Sequence, residues 1–260
     1  MQIFKFGGAS VKDAASVKNV AGIIRKYNSE RLVVVVSAMG KTTNALEELW
    51  EAYLQQSGKV DAIFERLKGY HFNILIELFP SPNWVFNSVE KLFDELQQAL
   101  TAQASTNADY EYDKLICFGE LLATTIVAGY LKVSGVSCEW LDARYLIRSD
   151  RNFREANVNW AQTEAAVKQQ VLEEYADKQV LVIQGFIAYS PENQTTTLGR
   201  EGSDYTAGIL AYCLDAESVT IWKDVPGMLN ADPKWFDVTE ILAKISFKEA
   251  MELSYYGATV

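Results

Sequence analysis

Lys5 stands immediately before Phe6-Gly7-Gly8. Two successive glycines let backbone amides turn toward a ligand without side-chain obstruction, and a helix behind them offers a positive N-terminus, so this unit suits a phosphate. A glycine turn beside a surface lysine would read the same way. Farther along, Gly199-Arg200-Glu201-Gly202-Ser203-Asp204 puts a guanidinium and a hydroxyl at the start of a helix, a receptor for carboxylate or phosphate. A surface ion pair between Arg200 and Asp204, with Ser203 as helix N-cap, is the plainer alternative. Glu120 is a lone carboxylate among Leu115, Ile116, Leu121 and Leu122. An unpaired charge there is costly, so it calls for a cation, either an internal Lys or Arg or a ligand ammonium. The stretch Val36 to Thr43 ends Gly40-Lys41-Thr42 like a phosphate-binding loop, but Val35 stands where that motif's first glycine belongs. A β-branched residue cannot supply that turn.

The elements around these residues alternate. Apolar runs at 3–6, 31–38, 136–141, 179–187 and 218–222 read as strands, the second apolar on both faces as in a central parallel strand. Helical spacing covers 13–27, 44–56, 61–103 with a break at Pro80-Ser81-Pro82, 110–133, 161–175 and the segment after Ser203. Ser246 and Glu249 form a capping box for a last helix. The fold class that follows is α/β, a three-layer αβα sandwich on a mainly parallel sheet, with a helical insertion at about 61–105. In such sheets ligands bind at the carboxyl ends of the strands, where the loops 7–10, 37–43, 199–204 and 223–234 converge.

Composition narrows the functions. The 260 residues are 49% hydrophobic and 22% charged, a globular balance, with 24 basic against 34 acidic residues and a net charge of −10. That field repels polyanions, so no nucleic acid is expected, while a local cation cluster can still hold a small anion. Cys117, Cys138 and Cys213 have no CxxC spacing, and His71 is the single histidine, so neither a disulfide framework nor a histidine metal site is expected. His71 reads as a helix-surface residue. No apolar run reaches membrane-spanning length and no targeting segment is read at the start, so no membrane and a cytoplasmic location are expected.

The motifs together resemble the aspartate kinases (aspartokinases) of the amino acid kinase superfamily. Lys5-Phe6-Gly7-Gly8-Ala9-Ser10-Val11 is similar to that family's KFGGTSV, Val35-Val36-Ser37-Ala38 with Thr43-Asn44 to its second loop, and Gly185-Phe186, Thr195 to Arg200 and Gly202 to Ala207 to GF…TTTLGRGGSDYTA. Ile221 to Val225 and Ala231 to Lys234 resemble IWTDV…ADPR. The resemblance implies the amino acid kinase fold and phosphoryl transfer from ATP, with Mg²⁺, to the β-carboxylate of L-aspartate. It makes Lys5 and Asp204 catalytic, with Asp204 orienting Lys5. Ser37, Thr43, Glu120, Arg200 and Ser203 would bind aspartate; Lys5, Gly7, Gly8, Lys223, Asp224, Asp232 and Lys234 would bind the nucleotide, and no residue is assigned to a protein-bound metal. The implied lobes are about 1–185 for aspartate and about 186–260 for nucleotide. The implied pathway is the first step toward lysine, threonine and methionine.

Some positions depart from the pattern. The sequence stops at Val260, without the paired ACT regulatory domains, so feedback inhibition housed in such domains is not expected. Thr259 stands where many members carry a nucleotide-contacting lysine, Leu229 where some place an aromatic residue, Lys234 where Arg is common, and Glu201 where a small residue is usual. A sibling kinase with another acceptor and a non-catalytic amino-acid-binding fragment or subunit are the alternatives. A homodimer is admitted without being required.

Overall fold

The computed structural model describes residues 1–27, 31–174, 177, 179–225 and 227–256; Thr259 lies outside them. The chain forms two compact units, Met1–Trp222 and Lys223–Val260.

In the first unit, β1 (Gln2–Phe6) leads through a tight 3₁₀ turn (Gly8–Val11) to α1 (Ala14–Lys26), which Asp13 caps by accepting the Ser16 N–H at 2.8 Å. Next come β2 (Leu32–Val36), α2 (Thr42–Leu54), α3 (Val60–Leu78) and α4 (Trp84–Thr101). The predicted break at Pro80-Ser81-Pro82 separates α3 from α4, and Asn83 caps the second of them. The helical stretch 110–133 is two helices, α5 (Ala108–Ile116) and α6 (Phe118–Val133), which meet at Cys117. Taken together, Ala108–Val133 is long and apolar enough to span a membrane, contrary to the sequence expectation, but it is largely buried within the fold. Core helices pass the same test when every face is covered.

The unit continues with β3 (Cys138–Leu141), a short α7 (Ala143–Leu146), α8 (Trp160–Val167) extended by a π-helical segment (Lys168–Glu174), and β4 (Val180–Gln184). The apolar run 179–187 is not one strand. It breaks at Gly185-Phe186, where Phe186 takes φ 72°, and resumes as β5 (Ile187–Tyr189), antiparallel to β6 (Thr195–Thr197). Then α9 (Gly202–Leu214) leads to β7 (Ser218–Trp222).

The five-stranded sheet runs β3-β4-β2-β1-β7, parallel throughout. The valines of β2 and the apolar residues of β4 are fully buried, as a parallel sheet covered on both faces requires. α6 lies against β2, β3 and β4, and α9 against β1, β2 and β7. Trp222 stacks on Phe6 with ring centroids 6.0 Å apart, tying the edge strand to its neighbour.

His71 is a correction. It is fully buried on α3 in line with Leu67, Leu75 and Leu78, Nδ1 2.9 Å from the Leu67 carbonyl and Nε2 3.4 Å from Thr42 Oγ1. Burial holds its pKa down to about 4.

The second unit contains a bridge between Leu229 and Ile241 and the helix α10 (Phe247–Tyr255). Ser246 and Glu249 form the expected capping box there.

Candidate active site

The carboxyl ends of β1, β2 and β4 bring sequence-predicted residues of the first unit together. Lys5, next to last in β1, is buried, and its Nζ lies 2.6 Å from Asp204 Oδ1. Asp204 sits in the first turn of α9. The alternative pairing of Arg200 with Asp204 is therefore not the one formed. A Cβ at Gly7 would make only an ordinary contact with Lys5 Nζ, at 3.6 Å, so the space there does not demand glycine. Gly8 is the constrained one. A Cβ on it would stand 2.7 Å from the Ala38 carbonyl, because the loop after β2 runs directly against it, and the Gly40 N–H donates to the Gly8 carbonyl at 3.0 Å. The two glycine loops thus form one surface.

Glu120, in the first turn of α6, points up beneath that surface. Its Oε1 accepts the Ala38 N–H at 3.1 Å, while Oε2 is buried with no hydrogen-bond partner. No Lys or Arg among the described residues makes an ion pair with it. Of the two cations the sequence left open, the internal one is not supplied. Burial pushes the carboxyl up to about 8, so without a ligand it is mostly protonated at neutral pH.

Ser37 follows β2, partly buried, with its N–H on the Phe6 carbonyl at 3.1 Å. Thr43 belongs to α2, which starts at Thr42, earlier than the expected 44. Thr43 and Arg200 line one cleft of about 600 Å³, together with Tyr112, Arg154 and Phe186. Ser203 lies inside α9, one residue past its start. The N-cap is Glu201, which makes no side-chain cap, so the expectation of Ser203 as cap is corrected. The helix starts early because Gly199 (φ 77°) and Glu201 (φ 55°) turn the chain left-handed in succession. Ser203 is held against the loop after β4, where a Cβ on Gly185 would fall 2.5 Å from Ser203 Oγ. Glu201 is exposed, and its positive φ explains why a residue without a Cβ suits that position.

Lys223, Asp224, Asp232 and Lys234, expected from the sequence to bind nucleotide, lie in the second unit. Asp232 Oδ1 accepts the Lys234 N–H at 2.8 Å, and the Asp232 carbonyl accepts the N–H groups of Trp235 and Phe236, which makes a compact turn. Among the described residues, no group of three His, Cys, Asp or Glu side chains is placed to hold a metal ion.

Sequence reasoning missed two residues. Arg154 stands in the cleft with its guanidinium carbon 4.2 Å from the centre of the Tyr112 ring. Asp113 lies fully buried behind it. The signal for Asp113 was the one used for Glu120, a carboxylate in an apolar helix; for Arg154 it was the dense charge of 148–155 following a strand.

Comparison with known proteins agrees with this geometry. The model of the Amino acid kinase family matches residues 1–260. Lysine-sensitive aspartokinase 3 of Escherichia coli K12 is 34% identical over 260 residues, covering 99% of this chain and 56% of that protein. Chloroplastic aspartokinase 1 of Arabidopsis thaliana is 32% identical, covering 99% of this chain and 46% of that protein. The crystal structure of E. coli aspartokinase III in complex with aspartate and ADP superposes with a TM-score of 0.89 at 32% identity, over 98% of this chain and 56% of that one. The chain spans about half the length of these relatives. With its parallel sheet, paired glycine loops and Lys5–Asp204 ion pair, the chain belongs to the amino acid kinase family.

Proposed function

We propose that this chain transfers the γ-phosphoryl group of MgATP to the β-carboxylate of L-aspartate, giving 4-phospho-L-aspartate and ADP. The observation that carries the reading is a buried ammonium fixed by a carboxylate, Lys5 on Asp204 at 2.6 Å, at the same sheet edge as the partnerless Glu120 oxygen. The first suits a transferring phosphoryl group, the second an amino acid's ammonium. The similar E. coli aspartokinase III, whose structure holds aspartate and ADP, supports the choice of these two substrates.

A substrate carboxylate with pKa near 4 is ionised at neutral pH, so the reaction needs no general base. The obstacle is charge, an anion approaching polyphosphate, and catalysis is positioning plus electrostatics. Lys5 would meet the phosphoryl oxygens, with Asp204 holding its Nζ in place. Glu120 would take the α-ammonium, losing its own proton as it does so. Arg200 would grip the α-carboxylate in a bidentate pair, and the hydroxyls of Ser37, Thr43 and Ser203 would complete the aspartate site. Gly7 and Gly8 would present amides to the phosphates, and Lys223, Asp224, Asp232 and Lys234 would hold the nucleotide. Mg²⁺ enters as part of the substrate, bound mainly by its phosphates. The lobes 1–185 for aspartate and 186–260 for nucleotide belong to the same proposal, as do a cytoplasmic setting and a place at the first step toward lysine, threonine and methionine.

The test is ADP release with MgATP, with and without L-aspartate, trapping the acyl phosphate with hydroxylamine. Aspartate-dependent ADP and hydroxamate are expected. A folded chain that binds aspartate yet releases no ADP would be an amino-acid-binding unit instead, and hydroxamate formed with another acid in place of aspartate would make it a sibling kinase.

A further inference from the structure

We infer that Asp113 is the positioning residue of the substrate-carboxylate grip: from α5 it ties the Arg154 turn and the end of β6, which runs on to Gly199-Arg200, to a single buried anchor. The inference rests on the proposed kinase reading for the identity of the ligand.

Asp113 is fully buried and forms no ion pair with a Lys or Arg side chain among the described residues. Its partners are three donors. Oδ2 accepts the Arg154 N–H at 2.9 Å and the Thr197 N–H at 3.0 Å, and Oδ1 accepts the Thr197 hydroxyl at 2.7 Å. The two segments it grips also hold each other, through the Ala156 N–H on the Thr197 carbonyl at 2.9 Å and the bridge between Glu155 and Leu198.

Each segment delivers a guanidinium to the cleft. Arg200 follows Thr197 by three residues, and Arg154 bears its own side chain directly on the gripped turn. Arg154 also sits at φ 69°, a left-handed conformation unfavourable for a non-glycine residue. Such a backbone persists when its surroundings impose it, and the Asp113 carboxylate on its N–H does so. Tyr112, next to Asp113 on α5, supplies the ring on which the Arg154 guanidinium lies. One turn of helix therefore fixes both the backbone and the side chain of Arg154. A residue needed for packing alone would be apolar at this position, like its neighbours Leu115 and Ile116. Burial pushes the Asp113 carboxyl up to about 6, an electrostatic cost that a carboxylate serving three donors offsets.

The test uses three variants of the whole chain, with kinetics for both substrates and backbone hydrogen exchange on 150–156 and 194–201. Asp113→Ala leaves three donors without an acceptor. It is expected to raise the aspartate KM at least tenfold, keep kcat and the ATP KM within twofold, and speed exchange in both segments. Asp113→Asn keeps all three contacts, its oxygen accepting the two N–H groups and its NH₂ donating to the Thr197 hydroxyl, and should bring the aspartate KM back to within threefold of the parent. Thr197→Val removes only the hydroxyl contact and should raise the aspartate KM about threefold; it carries the test if Asp113→Ala does not fold. Three results would overturn the inference: an unchanged aspartate KM in a folded Ala or Val variant, an ATP KM and kcat that move as far as the aspartate KM, or an Asn variant as impaired as Ala. If the parent turns over no aspartate, the kinase reading falls, and the clamp stands or falls on exchange in both segments, 150–156 and 194–201, which Asp113→Ala must speed and Asp113→Asn must restore.

Discussion

In the unit Met1–Trp222, β2 and β4 are buried along their length, and Lys5, Glu120 and Asp113 are each fixed by a named partner in that interior. In Lys223–Val260 no described residue is buried; α10 exposes Phe247, Met251 and Tyr255, and Trp235 is 83% exposed. Its motif residues are held by local devices, the Asp232 turn and the Ser246–Glu249 capping box. The contrast separates two ways of presenting charge to a substrate. In the first unit, desolvation makes each charge strong and each misplacement costly. In the second, side chains in water contribute through number and position, and each counts for little.

That contrast orders the expected effects. Lys5→Ala removes the most deeply set cation among the described residues and should lower kcat about 10³-fold, and the melting temperature with it, since the Asp204 carboxylate loses its buried partner; turnover near the parental value would break the catalytic assignment. Glu120→Gln should weaken aspartate binding roughly 10- to 100-fold, the worth of a charge-assisted bond in a dry site. The same carboxyl, raised to about 8 when unliganded, must ionise to take an ammonium. Aspartate binding at pH 7 should therefore release close to one proton and weaken as the pH falls below 8. Calorimetry in two buffers of different ionisation heat reads this directly, and the Gln variant should show no release. The linkage also runs through folding. With the folded pKa above the unfolded value of 4.5, the unliganded chain loses stability from this group as pH rises from about 4.5 to 8.

In the second unit, Lys234→Ala should raise the ATP KM only about threefold to tenfold and leave the aspartate KM alone, as one exposed cation warrants. An effect as large as that of Lys5→Ala would mean the exposed set is not acting as solvated charges. The smallest effect tests the backbone: Glu201→Gly relieves the residue at φ 55° and should stabilise the chain by about 0.5–1 kcal/mol in thermal melts, while a loss of stability would show that the Glu201 side chain has a stabilising role.

The sequence made the sheet legible because strands covered on both faces are continuously apolar, and Val33 to Val36 leave no other reading. Lys5, Arg200 and Asp204 were legible because glycines and helix starts surround them. What escaped depended on what packs against a residue rather than on its neighbours in the chain. His71 was read as surface because imidazole is polar, yet its spacing from Leu67 and Leu75 put it in the core of α3. Ser203 looked like a cap because the left-handed turn at Gly199 and Glu201, which starts the helix before it, is invisible in residue types alone. The run 179–187 hid a hairpin because Gly185 and Phe186 break a strand only where Ser203 crowds in from α9.

The order of the sheet also has a kinetic side. β1 lies between β2 and β7, with Gln2 opposite both Leu32 and Ser218. A ribosome delivers the first partner early and the second only much later, after the helices and strands between Leu32 and Ser218 have been made. Until then β1 has one flank of amides unpaired, and the Lys5–Asp204 contact, which closes over a comparable loop, cannot form. A parallel sheet with such long closures folds slowly and exposes strand edges while it waits. The Lys5–Asp204 pair is thus assembled late, because a nascent chain acquires it only once α9 has been made.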